Sequence, residues 1–411
     1  MKFETYHISS AIKRNLSDLG FKRPTDIQYK AIPSIMKGED VLAIAQTGTG
    51  KTAAFAIPII DKIHRTKSSK RSWGIKCIIM VPTRELAAQI GNVFDELSKH
   101  TKTKAYAVYG GVEQDPQIKK LGNGIDVLVA TPGRMFDLIH QGAISLKHVD
   151  TLVLDEADQM LDLGFIKDIS AVKKKLFQRH QTLFFSATIN KEIKKLAFSQ
   201  VKSSAIRIQI SPDDPVSKNV SHFVMFVEMD DKRFFLRRFI NDNPETKIIV
   251  FVRTRVRAER VAKALERGNI ASATLHGEKD QKDRTDVMNR FKQGRINILI
   301  ATDVSARGID IPDVQYVINY DLPEKSENYV HRVGRTGRGV KKGIAISFCS
   351  TEEKERLEAI QTFLNKTIET ISMGKKEYAD TLTVSNQTQS IEDLIKEQED
   401  WEKNKKKRKK K

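Results

Sequence analysis

Three short stretches of this chain hold residues whose types and spacing could do phosphate chemistry. The first is AQTGTGKT, from Ala45 to Thr52, set between an apolar run and the helical AAFAIPII. Gly48 and Gly50 let successive backbone N–H groups wrap a β-phosphate. Lys51 can then reach the β and γ oxygens, and the Thr52 hydroxyl can ligate Mg2+. The general form of such a loop opens with glycine, and Ala45 stands in that place, which weakens the pattern on its own. The second stretch is VLDEADQM, where Asp155, Glu156 and Asp158 follow a hydrophobic run. Asp155 can hold Mg2+, directly or through water, and Glu156 can orient a water for attack on a γ-phosphate. The third is HRVGRTGRG, residues 331–339, with three arginines and a histidine among glycines. Guanidinium forks grip phosphate or carboxylate, so this stretch awaits an anion from elsewhere.

Groups like these work only when rigid elements hold them. Two series of short, β-branched apolar runs predict the strands. The first is VLAIA, CIIMV, YAVYG, DVLVAT, TLVLD, TLFFSAT and AIRIQI; the second is HFVMFV, KIIVFV, ASATLH, INILIAT, VQYVINY and GIAISF. Continuous apolar runs suit strands buried on both faces. Helical patterns such as residues 84–97 and 255–268 alternate with them, which means parallel sheets covered by helices. The segment SPDDPVSKN reads as a linker. We therefore expect an α/β chain with a first lobe at 1–210, a linker at 211–219, a second lobe at 220–366 and an extension at 367–411. Both the glycine loop and the acidic turn fall at the C-terminal ends of first-lobe strands, where α/β ligands bind.

Composition narrows the partners. The 411 residues carry a formal charge of +19, and 39% hydrophobic content is enough for two cores. Eight of the last nine residues are Lys or Arg, yet the basic surplus extends beyond them and points to a polyanion. Cys77 and Cys349 lack metal-ligand spacing and suit a reducing compartment. No apolar run approaches membrane-spanning length. The expectation is a soluble, cytoplasmic monomer without a membrane segment. Ser390 and Asp393 mark a short capped helix, and Lys403–Lys411 is expected to be a disordered basic tail.

With PTRELA (82–87), TPGR (131–134), SAT (186–188) and ARGID (306–310), the three stretches resemble the DEAD-box RNA helicase family in type and order. The alanine at 45 is that family's own form of the loop. GFKRPTDIQ (20–28) is similar to its adenine-reading Q motif, and the likeness covers roughly residues 3–365. The compact length resembles bacterial members, of the RhlE type.

The resemblance implies two RecA-like lobes that bind ATP with Mg2+ and close on RNA. It assigns Ala45, Gln46, Thr47, Gly48, Thr49, Gly50, Lys51 and Thr52 to the nucleotide. Gln28 would read the adenine edge, Phe3 and Phe21 would pack near the base, and Asp310 would contact the ribose. Ser186 and Thr188 would bond Asp158 and couple hydrolysis to closure, with His331 in the same network. Arg335 and Arg338 stand three apart, so on a helix they share a face. They are expected to act as arginine fingers on the γ-phosphate. Arg332 stays open between that network and a structural pair. For RNA, the first lobe would use Thr83, Arg84, Gly111, Thr131, Gly133 and Arg134. The second would use Gln281, Arg284, Thr302 and Asp303. Such residues suit phosphate and 2′-OH contacts with little sequence specificity. The leading function is an ATP-dependent RNA helicase acting by local duplex unwinding or remodelling of RNA–protein complexes. An ATP-gated RNA clamp and a DNA-dependent translocase are the alternatives, the latter opposed by the Q motif and TPGR.

Overall fold

A computed structural model describes residues 2–46, 48–69, 71–210, 219–306, 311, 314–337 and 342–386. The first sheet contains β1 (Val41–Ala45), β2 (Cys77–Met80), β3 (Ala105–Val108), β4 (Val127–Ala130), β5 (Thr151–Leu154), β6 (Gln181–Ser186) and β7 (Ile206–Ile210). The second contains β8 (Val220–Phe226), β9 (Ile248–Phe251), β10 (Ala273–Leu275), β11 (Ile298–Ala301), β12 (Tyr316–Asn319), β13 (Gly343–Cys349) and β14 (Glu369–Thr370). The strand pairs are parallel. The orders are β3-β4-β2-β5-β6-β1-β7 and β10-β11-β9-β12-β13-β8-β14. One order serves both lobes.

The central strands β1, β2, β4, β5, β6, β9 and β11 are buried along their whole length, which is why their sequences run apolar without alternation. Each sheet packs a cluster of apolar side chains on either face. Phe55, Phe94 and Phe185 anchor one face of the first sheet, and Leu128, Leu154 and Phe184 the other. In the second lobe Phe251, Phe291 and Tyr329 lie on one face, and Phe235, Val250 and Phe348 on the other.

The second lobe runs further than the sequence boundary at residue 366. Glu369 and Thr370 add β14 beside β8, and both are exposed, so no apolar signal marks them. The helix Lys375–Asn386 then packs on the helix Lys232–Asp242. Tyr378 lies 4.8 Å from the Phe235 ring, and Arg238 donates to Thr381 at 2.6 Å and Glu377 at 2.9 Å. Most of the linker, Thr47, Asp310, Arg338, the capped helix expected at Ser390 and the basic tail lie outside the described residues.

Candidate functional site

The glycine loop leaves β1 at Ala45 and enters the helix Lys51–Thr66. Gly48 and Gly50 have φ of 82° and 91°, values that disfavour any side chain. A Cβ on Gly50 would also meet Gln28 Nε2 at 2.5 Å. Thr49 closes the loop by donating to the Gln46 carbonyl at 2.7 Å. The buried Lys51 donates to the Ala45 carbonyl at 2.8 Å, holding its ammonium inside the loop.

Across the loop, β5 delivers the acidic turn. Asp155 is buried and accepts the Glu156 N–H at 3.0 Å. Burial pushes its carboxyl up to about 7, even though Lys51 pulls the other way. Glu156 sits in left-handed backbone (φ 51°, ψ 49°) at the start of the helix Ala157–Asp162, and its Oε2 is buried without a partner. Such a conformation in a non-glycine residue costs about 1–3 kcal/mol and recurs at functional sites. Asp158 Oδ2 accepts from the Thr188 N–H and hydroxyl, both at 2.9 Å, and from the Ala187 N–H at 3.1 Å. Burial alone would raise the Asp158 carboxyl. His331, Lys51 and the Thr188 bonds instead hold it below its ordinary value.

Two expectations need correction here. Ser186 does not bond Asp158; its hydroxyl donates to the Thr188 carbonyl at 2.8 Å. β6 ends at Ser186, so the two hydroxyls no longer share a strand face. The helix expected beneath the arginines also ends early, spanning Ser326–Val333 with Gly334 as its cap. Arg335 lies in the following turn, buried, with its Nε donating to the His331 carbonyl at 3.1 Å.

The Q-motif glutamine caps its own helix and touches the loop. Gln28 Oε1 accepts the Thr25 N–H at 3.0 Å, and Nε2 donates to the Gly50 carbonyl at 3.1 Å. Both ends of the amide are thus engaged with backbone. Phe3 is buried, its ring 6.2 Å from Phe21 and 5.9 Å from Tyr6.

The residues expected to meet RNA gather at strand ends. Arg84 packs on Gly110 and Gly111, where a Cβ at Gly111 would collide with its guanidinium. Arg134 donates through Nη2 to the Val112 carbonyl at 2.9 Å, while Nη1 is buried without a partner. Thr131 and Gly133 open the helix Pro132–His140, and nothing lies near Gly133. The Thr83 hydroxyl caps the helix Arg84–Ser98 through the Leu86 N–H at 3.3 Å. In the second lobe Gln281 Oε1 is buried without a partner, and the Thr302 hydroxyl donates to Ser305 at 3.3 Å.

Two second-lobe side chains are committed elsewhere. Asp303 is gripped by Arg332 through Nε at 2.5 Å and Nη2 at 2.9 Å. Arg332 also donates to Asn319 and to the Asp321 carbonyl and lies 5.2 Å from the Phe251 ring, which makes it a structural residue. Arg284 reaches into the first lobe, with Nε at 2.8 Å and Nη2 at 2.6 Å from Glu85 Oε1.

Glu85 and Arg284 thus meet across the cleft, and other pairs among the described residues do the same. Lys325 meets Asp162 at 2.8 Å, and His331 Nε2 stands 3.8 Å from Asp158 Oδ2. Sequence reasoning missed Glu85, Asp162 and Lys325. The only local signal was charge, and Arg284 lies 199 positions from Glu85.

Two RecA-like lobes, a glycine loop with its lysine, an acidic strand end and a histidine brought from the opposite lobe define a two-lobed P-loop ATPase of the helicase kind. The family comparisons agree. Residues 25–196 match the model described as DEAD/DEAH box helicase, and residues 231–340 the helicase conserved C-terminal domain. The DEAD-box ATP-dependent RNA helicase CshA of Bacillus cereus is 38% identical over 359 residues, covering 87% of this chain and 67% of that protein. The ATP-dependent RNA helicase RhlB of Shewanella putrefaciens is 39% identical over 371 residues, covering 89% of this chain and 84% of that protein. The structure of S. cerevisiae Dbp5 bound to RNA and ADP BeF3 superposes with a TM-score of 0.83 at 29% identity, over 94% of this chain and 99% of that one. The chain belongs to the DEAD-box ATP-dependent RNA helicase family.

Proposed function

We propose that this helicase hydrolyses ATP at a site split between its lobes and that RNA laid across both lobes brings the halves together. The observation that carries this reading is Asp158, bonded by Thr188 on its own lobe and approached by His331 from the other at 3.8 Å. A histidine can complete that network only when the cleft is closed.

The residues present fit ATP and Mg2+. Glu156 Oε2 is an orphaned buried oxygen, and Gly48 and Gly50 hold the positive φ that lets a loop backbone turn its N–H groups toward phosphate. Thr52 and Asp155 would hold Mg2+, which neutralises phosphate charge when bound. Lys51 would exchange the Ala45 carbonyl for phosphate oxygens. Glu156 orients the attacking water and accepts its proton. Arg335 and Arg338 supply fixed positive charge where the transferring group spreads its own. Gln28, held against Gly50, reports the adenine edge to the loop, with Phe3 and Phe21 beside the base and Asp310 on the ribose.

For RNA, Arg84, Arg134, Gly111, Gly133 and Thr131 line the first lobe, and Gln281 and Thr302 the second. The unpartnered Arg134 Nη1 and Gln281 Oε1 suit phosphate and 2′-OH contacts that carry little sequence information. The RNA-bound yeast relative supports that partner over DNA. A single chain holds both halves of the site, so the working unit is a monomer. Cys77 and Cys349 are free and buried, which fits the cytoplasm. Among the described residues no helix is long and apolar enough to cross a membrane.

Glu156→Gln tests the reading. It should keep ATP and RNA binding, abolish hydrolysis and trap a long-lived ternary complex. Normal turnover in that variant would refute the assignment.

A further inference from the structure

Because both sheets follow one strand order, β8, β12 and β13 are the second-lobe counterparts of β1, β5 and β6. Lys51 is the first helical residue after β1, and Lys232 is the first helical residue after β8. Their spacing from the strand ends, Ala45 and Phe226, is the same. The loops between differ. Residues 46–50 include two positive-φ glycines, whereas 227–231 read Val-Glu-Met-Asp-Asp with no positive φ. That second loop builds no N–H cradle, and its three carboxylates repel phosphate.

The lysine nevertheless has an anion. Lys232 is fully buried and donates to the Tyr320 carbonyl at 2.7 Å and to Glu353. Glu353 comes from the short 3-10 turn after β13 and is itself fully enclosed. Its Oε1 accepts the Leu322 N–H at 3.1 Å and the Arg253 guanidinium at 3.3 Å. Its Oε2 accepts the Ser350 N–H at 3.2 Å and hydroxyl at 3.3 Å, together with Lys232. Two backbone N–H groups, a hydroxyl, an ammonium and a guanidinium converging on two oxygens form the donor set of an oxyanion site. Leu322 and Ser350 follow β12 and β13, as the acidic turn and the Thr188 segment follow β5 and β6.

We propose that Glu353 is a built-in phosphate surrogate: the second lobe is a P-loop-like oxyanion site ligated by the chain's own carboxylate. The proposal rests on reading Lys51 as the nucleotide lysine of the first lobe. It means that the second lobe stays in its liganded form throughout the cycle and takes no nucleotide. One chain therefore binds one ATP, held by the glycine loop of the first lobe.

The test uses Glu353→Ala, which leaves Lys232 and Arg253 around a vacated place. Unfolding midpoints are measured in saturating ADP, which fills the first lobe, with and without inorganic phosphate at constant ionic strength. Phosphate should raise the midpoint of E353A by several degrees, saturably. Wild type and the charge-free K232M/E353M pair should not respond. An E353A that ignores phosphate, or a double variant that responds equally, overturns the proposal. If E353A does not fold, ADP stoichiometry on the intact chain decides. One equivalent that is lost in Lys51→Ala is expected, and a second that survives Lys51→Ala overturns the proposal. Should the single equivalent itself survive Lys51→Ala while E353A answers to phosphate, the first-lobe reading fails and the surrogate stands.

Discussion

Neutralising Glu85 should weaken the closed form of the helicase although this residue is not expected to touch ATP or RNA. Its Oε1 takes both Nε and Nη2 of Arg284 across the cleft, at 2.8 and 2.6 Å, and the two side chains are only 14% and 9% exposed. Unit charges about 4 Å apart in an effective dielectric of about 20 attract by roughly 4 kcal/mol. Desolvating both partners offsets about half of that, leaving about 2 kcal/mol for the pair. Since the contact exists only with the lobes together, its loss shifts the open–closed balance by that amount, or about 30-fold. RNA affinity drawn from the closed form should fall by the same factor. The assay is anisotropy of a labelled single strand with a non-hydrolysable ATP analogue, for wild type, Glu85→Gln, Arg284→Gln and the double variant. Each single change should cost about 30-fold, and the double little more than either, a coupling of about 2 kcal/mol. If Glu85→Gln binds normally while Arg284→Gln does not, Arg284 acts on RNA directly and the reasoning from the ion pair is wrong.

Three further outcomes are expected. Arg335→Ala should lower turnover at saturating ATP and RNA by about 10³-fold or more, with little change in nucleotide affinity, and a collapse of affinity with turnover intact would remove the finger role. Burial raises Asp155 to about 7, so between its ordinary value near 4 and pH 7 the folded chain holds a proton that the unfolded chain has released. The stability this contributes is present at acid pH and lost as pH climbs to 7; nucleotide-free Asp155→Asn should therefore melt above wild type at pH 8, with the gap closing toward pH 4, and equal melting at every pH would contradict the shift. Gln28→Ala should erode preference for ATP over GTP and also loosen Gly50, so hydrolysis constants for both nucleotides should worsen, ATP more; an unchanged preference places the base reading elsewhere.

What could be read in the sequence, and what could not, follows the range of the interactions. Continuous apolar runs locate strands because burial on both faces leaves no alternation to misread, whereas Glu369 and Thr370 pair through backbone alone and leave no trace. The glycine loop and the acidic turn were legible because their chemistry needs neighbours within a few residues of one strand end. Ser186 misled because the resemblance carried both hydroxyls to Asp158, whereas β6 stops at Ser186 and its hydroxyl donates to the Thr188 carbonyl instead. Arg335 misled because the helix that would align it ends at Val333, with Gly334 as its cap. Arg332 was undecidable from its surroundings in sequence, and its partners Asp303, Asn319 and Asp321 lie on other elements. The pairs that hold the lobes together belong to a harder class. Glu85 and Arg284, or Asp162 and Lys325, are ordinary surface charges on their own lobes and become specific only when the cleft closes. Lys232 and Glu353 show the remaining case: an ion pair hidden in sequence, and intelligible only once the shared strand order reveals that the lysine stands where a phosphate-binding lysine stands in the other lobe.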